Sequence, residues 1–265
     1  MIMHFLDFTS IFCKLINFFL AMLSSYSNCS EMDMNKPIGI LGGMGPQATV
    51  DAMNKIIKNT RASCDQDHIP VITVCIPDIP DRTKSILNKN DKPLEKMVEY
   101  LRILENANVG CIIIPCNTAH FWFDRLQEST HTKMISIVES AIQYIKNSNI
   151  QEVCILATTA TISTQLYQKE FVNNKINFTI PSSFFQNLIM ESIYKYKAGE
   201  YAKAKEIMNS IIKNYTLKDD KKFLLACTEI PLILEDWIKI HPDLFIDATD
   251  LLIKNAINWY QYKHC

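Results

Sequence analysis

IGILGGMGPQAT, residues 38–49, is an apolar run that ends in glycines and passes through a proline into a polar segment of helical spacing. Such a pattern reads as a buried strand, a tight turn and a helix start. Pro46 suits the first turn of that helix. The stretch has a counterpart downstream in VCILATTATIST, residues 153–164, again an apolar strand, a turn of small residues and a helix start ending in Thr. A second pair follows the first. CIIIPCNT (111–118) and FLLACTE (223–229) are apolar runs that each deliver a cysteine just past their end. Cys116 follows Leu41 by 75 positions and Cys227 follows Leu156 by 71. The near-equal spacing predicts two similar α/β halves, each placing one thiol at the carboxyl end of a strand. Ligands of open α/β sheets sit outside those strand ends, so two facing halves would set Cys116 and Cys227 across one cleft.

Outward from these motifs the chain alternates. Strands are expected at Ile38–Leu41, Val71–Ile76, Val109–Ile114, Ile135–Val138, Val153–Leu156 and Phe223–Ala226. Helices are expected over Gln47–Asn59, Leu94–Asn106, Ile162–Phe171, Phe184–Ala198, Tyr201–Tyr215 and Leu251–Tyr262. Strands alternating with helices imply parallel sheets covered on both faces. The fold class is α/β: two similar three-layer domains with mainly parallel sheets. The expected division is residues 36–132 with 241–265 for the first domain and 133–240 for the second.

The 265 residues carry a net charge of -1 and are 48% hydrophobic, with a pI near 6.6. That is ample for a core and gives no electrostatic case for nucleic acid as a partner. Nine cysteines, an odd number at irregular spacing with no CxxC pair, argue against a disulfide framework or a structural zinc site. Cys75, Cys111 and Cys154 sit inside apolar runs and read as small buried hydrophobes. The usage fits a reducing compartment, and the expected location is cytoplasmic. Residues 1–35 leave an alternative open. Leu15–Leu23 is an apolar stretch after Lys14, too short to span a bilayer comfortably. It is either an extension ahead of Met32 or Met34, or a signal or membrane-associating segment that would make the chain exported. No integral membrane domain is expected.

A thiolate and a thiol on opposite faces of a carbon can remove a proton from one side and return one from the other, inverting the centre without a metal or an organic cofactor. A helix beginning just after each cysteine is expected to lower the thiol pKa, with Asn117, Thr118 and Thr228 supplying short polar side chains beside it. No metal site is signalled: His120 would need two further ligands and reads instead as a helix-capping or supporting histidine. GGMGPQAT lacks the GK[ST] of a P-loop and the GxGxxG spacing, and its glycines are read as permitting close backbone approach to a substrate.

Four motifs in order, GILGGMGPQAT, IPDRT (79–83), PCNTAH (115–120) and ACTEIPLI (226–233), resemble the aspartate/glutamate racemase family, in particular its aspartate racemase-type, cofactor-independent branch. The resemblance runs from about Pro37 to the C-terminus. It implies domains related by a pseudo-twofold axis, an active site in the cleft between them, and a last helix returning to the first domain. It implies Cys116 and Cys227 as the catalytic pair, with Arg82, Asn117, Thr118, Ala119, Lys197 and Thr228 contacting the substrate. The activity it implies is racemisation of an amino acid, aspartate (L to D) foremost, with no cofactor. Broad-specificity racemisation, a hydantoin racemase or maleate isomerase-type reaction, and a non-catalytic amino-acid-binding protein are the alternatives. A homodimer is compatible with the family, although no sequence pattern argues for one. Cys75 and Ile76 stand where many members carry Asn before the IPDR segment, a departure that leaves room for other side chains.

Overall fold

The computed structural model describes residues 36–216 and 221–262; the expectations for residues 1–35 lie outside them. The first half opens with β1 (Ile38–Gly42), helix α1 (Pro46–Asn59), β2 (Val71–Cys75), α2 (Arg82–Leu87), α3 (Lys92–Asn106) and β3 (Cys111–Ile113). A 3-10 turn over Thr118–Trp122 leads to α4 (Phe123–Glu128), β4 (Lys133–Ile135) and α5 (Ile137–Asn147). The second half runs through β5 (Glu152–Ala157), α6 (Thr159–Ser163), α7 (Gln168–Asn173), β6 (Asn177–Thr179), α8 (Ser183–Lys197), α9 (Tyr201–Thr216) and β7 (Lys222–Ala226). It closes with α10 (Ile230–Ile233), α11 (Glu235–Ile240), β8 (Phe245–Asp247) and α12 (Ala248–Tyr262).

The strands form two four-stranded sheets, ordered β2-β1-β3-β4 and β6-β5-β7-β8, with every pairing parallel. The orders are the same when each half is counted from its own first strand. In strand pairing the first sheet runs to Ile135 and the second to Asp247.

Side chains alternate across each strand. Ile38, Ile40, Ile113, Val153, Ile155 and Leu224 all enter one central cluster shared by the two halves, whereas Leu41, Ile112, Cys154, Leu156 and Leu225 face separate outer clusters. Helix α12 packs on α1 and α5, adding Leu252, Ile253, Ala256 and Ile257 to the central cluster. Burying one aliphatic side chain is worth roughly 1.5–3 kcal/mol, against about 0.3–0.5 kcal/mol for an exposed ion pair one helical turn apart such as Lys254–Asp250. Packing therefore decides where α12 sits. Lys55 of α1 adds a half-buried tie, reaching Asp51 at 2.6 Å and Asp247 of β8 at 2.7 Å.

Several expectations are corrected. The strand expected over Ile135–Val138 stops at Ile135, because Ser136 Oγ accepts the Glu139 N–H at 3.2 Å and starts α5. The helix expected over Ile162–Phe171 is two short helices, interrupted where Gln165 takes φ 57. Cys111 and Cys154 are buried as expected, but Cys75 is exposed, at the end of an edge strand. The glycine turn packs tightly against its own chain: Gly43 has φ 87, and a Cβ there would lie 2.3 Å from the Ile76 carbonyl oxygen. At Gly43 the space a side chain would need is taken by the protein's own backbone.

Candidate active site

Strand register places the two cysteines. Ile38 pairs with Cys111 and Val153 pairs with Lys222. Cys116 and Cys227 each lie five residues beyond these partners, so the two halves present their thiols at equivalent positions beyond equivalent strands, β3 and β7. The matching continues: Ser136 caps α5 after β4, and Asp247 caps α12 after β8 by accepting the Thr249 and Asp250 N–H groups.

Both cysteines line one cavity with about 370 Å³ of empty space, part of it open to solvent. Asn117 and Thr118 flank Cys116 in its wall, and Thr228 and Glu229 flank Cys227. Arg82 reaches the cavity from α2 and Lys197 from the last turn of α8. Of the residues expected there, only Ala119 is not in the wall; it is fully buried in the outer cluster beneath Cys116. Arg82 begins α2, because Asp81 accepts the Lys84 N–H at 2.7 Å and caps that helix.

Arg82 is buried, and its Nη1 donates to the carbonyls of Ile79 and Pro80 at 3.0 and 3.1 Å. No carboxylate among the described residues lies within ion-pair distance of it. Asn117 accepts from the Tyr167 hydroxyl through Oδ1 and leaves a buried Nδ2 without a partner. Thr118 Oγ1 meets Thr158 Oγ1 at 2.9 Å and Thr161 Oγ1 at 3.2 Å, which links the two halves beside the cavity. His120 holds the Cys116 turn: its Nε2 accepts the Ile137 N–H at 3.0 Å, so Nδ1 carries the proton donated to the Cys116 carbonyl at 2.9 Å. Burial keeps this ring neutral, with a pKa lowered to about 4.

Sequence reasoning missed Glu229 as a site residue. It is 3% exposed, accepts from Cys227 Sγ at 3.1 Å and pairs with Lys197 Nζ at 3.1 Å. The lowered thiol pKa expected for both cysteines is overturned at Cys227. Burial first, and then the Glu229 charge, push this thiol well above the usual cysteine range, although Lys197 opposes them. The helix that follows, α10, has only four residues and does not begin until Ile230. Burial alone would lower the Lys197 pKa, but the acidic groups facing it, the Glu229 carboxylate foremost, outweigh burial and leave this amine above the ordinary lysine range. Met44, Met190, Ile193 and Tyr194 give the same cavity an apolar wall that the motifs did not reveal.

A doubled α/β fold whose halves open matched cysteines onto one cavity places the chain among isomerases of the racemase class. It belongs to the Asp/Glu/Hydantoin racemase family, whose model matches residues 41–256. The chain is 26% identical over 229 residues to the broad specificity amino-acid racemase RacX of Bacillus subtilis, covering 84% of this chain and 97% of that one. The structure of Picrophilus torridus aspartate racemase superposes with a TM-score of 0.77 at 30% identity, covering 86% of this chain and 95% of that chain. In fold alone the likeness extends to glutamate racemase from Francisella tularensis, with a TM-score of 0.63, 22% identity, and 87% and 82% covered. Among the described residues no helix is long and apolar enough to cross a membrane.

Proposed function

We propose that the chain racemises an amino acid at its α-carbon, with aspartate (L to D) the leading substrate, by proton transfer between two cysteines and without a cofactor. The observation that carries this reading is the pair Cys116 and Cys227, delivered at one register by two like sheets into one cavity. Arg82, with no carboxylate partner among the described residues, grips a substrate carboxylate through the bidentate fork of its guanidinium. The unpartnered Asn117 Nδ2 supplies a further donor, and Thr118 and Thr228 line the same wall. One cysteine, as thiolate, takes the α-proton. The other, as thiol, returns a proton on the opposite face. The roles exchange for the opposite enantiomer.

The apolar wall of Met44, Met190, Ile193 and Tyr194, together with the similarity to a broad specificity racemase, favours a second reading in which several side chains are accepted. Either reading needs reduced thiols, which suits a reducing compartment such as the cytoplasm. The test is exchange of the substrate α-hydrogen with solvent deuterium over a panel of amino acids. An active racemase washes deuterium into both enantiomers of its substrates. A protein that only binds amino acids leaves the α-hydrogen in place, and that result would reject the proposal.

A further inference from the structure

The two oxygens of Glu229 have separate partners. Oε1 faces Lys197 Nζ at 3.1 Å. Oε2 accepts from Cys227 Sγ at 3.1 Å and from Thr228 Oγ1 at 3.3 Å. The Glu229 side chain is 4% exposed and that of Lys197 is 29% exposed. A molecule in the cavity can therefore reach the lysine while the carboxylate stays covered behind it.

From this arrangement, and resting on the racemase reading above, we infer that Lys197 is a substrate-operated gate on Cys227. A substrate with a second carboxylate draws Lys197 off Glu229, and Glu229 then takes the Cys227 proton. A buried carboxylate that loses its counter-cation holds a proton more strongly. The two donors already on Glu229 Oε2 are a thiol and a threonine hydroxyl, and the thiol is by far the more acidic. The Cys227 S–H bond breaks, the Glu229 Oε2–H bond forms, and the electron pair stays on sulfur. The thiolate then takes the α-proton and Cys116 delivers its own to the opposite face. This leaves Glu229 protonated and Cys116 as thiolate, and exchange with solvent after product release restores both. Arg82 keeps the α-carboxylate throughout, so two cations serve two carboxylates. A neutral side chain leaves Lys197 on Glu229, and Cys227 stays a thiol. Lys197 thus acts as a positioning residue that sets substrate preference through Glu229.

The experiment measures α-hydrogen exchange in deuterated buffer on both enantiomers of aspartate and of alanine, for the unaltered protein and for Lys197→Met, Lys197→Arg and Glu229→Gln. The unaltered protein should exchange aspartate much faster than alanine, with the difference in kcat. Lys197→Met should slow aspartate, yet speed alanine about tenfold on the enantiomer that Cys227 serves, the effect of moving one carboxylate pKa by about a unit. Lys197→Arg should retain the preference for aspartate. Glu229→Gln can still accept the thiol hydrogen bond but cannot take the proton, so exchange on that one enantiomer should be lost for both substrates. Slowing of aspartate and alanine alike in Lys197→Met, with the fold intact by circular dichroism, overturns the gate. If that variant does not fold, Glu229→Gln decides, and equal exchange of both enantiomers overturns the gate. Absence of exchange on any amino acid by the unaltered protein instead overturns the racemase reading itself, and the gate with it.

Discussion

The backbone N–H of Ile137 donates to Nε2 of His120 at 3.0 Å, so the first residue of α5 is held by the same ring that holds the Cys116 carbonyl. The folded ring has a pKa of about 4, against roughly 6.5 when exposed. Above 6.5 neither state binds a proton and both hydrogen bonds contribute fully. Between 6.5 and 4 the unfolded chain takes a proton that the folded chain refuses. Stability then falls with pH by up to about 1.4 kcal/mol per unit. A melting temperature followed from pH 7 to pH 4 should drop, and His120→Gln should flatten part of that drop. His120→Ala orphans a buried donor and a buried acceptor and should cost about 2–4 kcal/mol at pH 7, measured by denaturant unfolding.

Replacing Cys116 or Cys227 with Ser leaves one thiol and a hydroxyl far too weakly acidic to complete inversion. Racemisation, followed by optical rotation, should fall by several orders of magnitude in each variant, as for residues that act as one unit. Residual α-hydrogen exchange should favour opposite enantiomers in the two variants. A variant that still racemises near the unaltered rate would take that cysteine out of the mechanism.

Arg82→Lys keeps the charge and loses the fork. One charge-assisted hydrogen bond is worth roughly 1.5–3 kcal/mol, so kcat/KM should fall about tenfold to a hundredfold. An unchanged kcat/KM would assign Arg82 to holding the Ile79–Pro80 turn alone.

Dialysis against a chelator, with no pyridoxal phosphate added, should leave the rate unchanged, because side chains of the protein carry every proton in the proposed reaction. Loss of activity that returns on adding metal or pyridoxal phosphate would contradict that chemistry.

The strand ends were the most legible part of the sequence. An apolar run that stops at small residues marks both the strand and its carboxyl end, and this located Cys116 and Cys227. Helix starts were less legible. Ser136 and Glu139 carry the Ser-x-x-Glu spacing of a capping box, but Ile137 and Val138 between them look like a continuing strand. The break at Gln165 depends on a left-handed backbone at a residue that does not advertise one. Glu229 stood inside a motif already singled out, yet its role depends on Lys197, 32 positions earlier and brought over by α8. The Cys227 thiol was misjudged for the same reason: burial and a carboxylate two residues on outweigh the start of a short helix, and burial is not written in the local sequence.

The correspondence that superposes Cys116 on Cys227 also superposes Thr118 on Glu229. The backbone is doubled at the site, but a hydroxyl stands on one side where a carboxylate stands on the other. For a reaction between mirror-image molecules the equilibrium constant is one in achiral solvent, whatever the catalyst. The Haldane relation then requires kcat/KM to be equal for the L and D forms. The lopsided chemistry around the two sulfurs can therefore appear only as a matched pair of inequalities: the enantiomer turned over faster at saturation must also be the one with the larger KM.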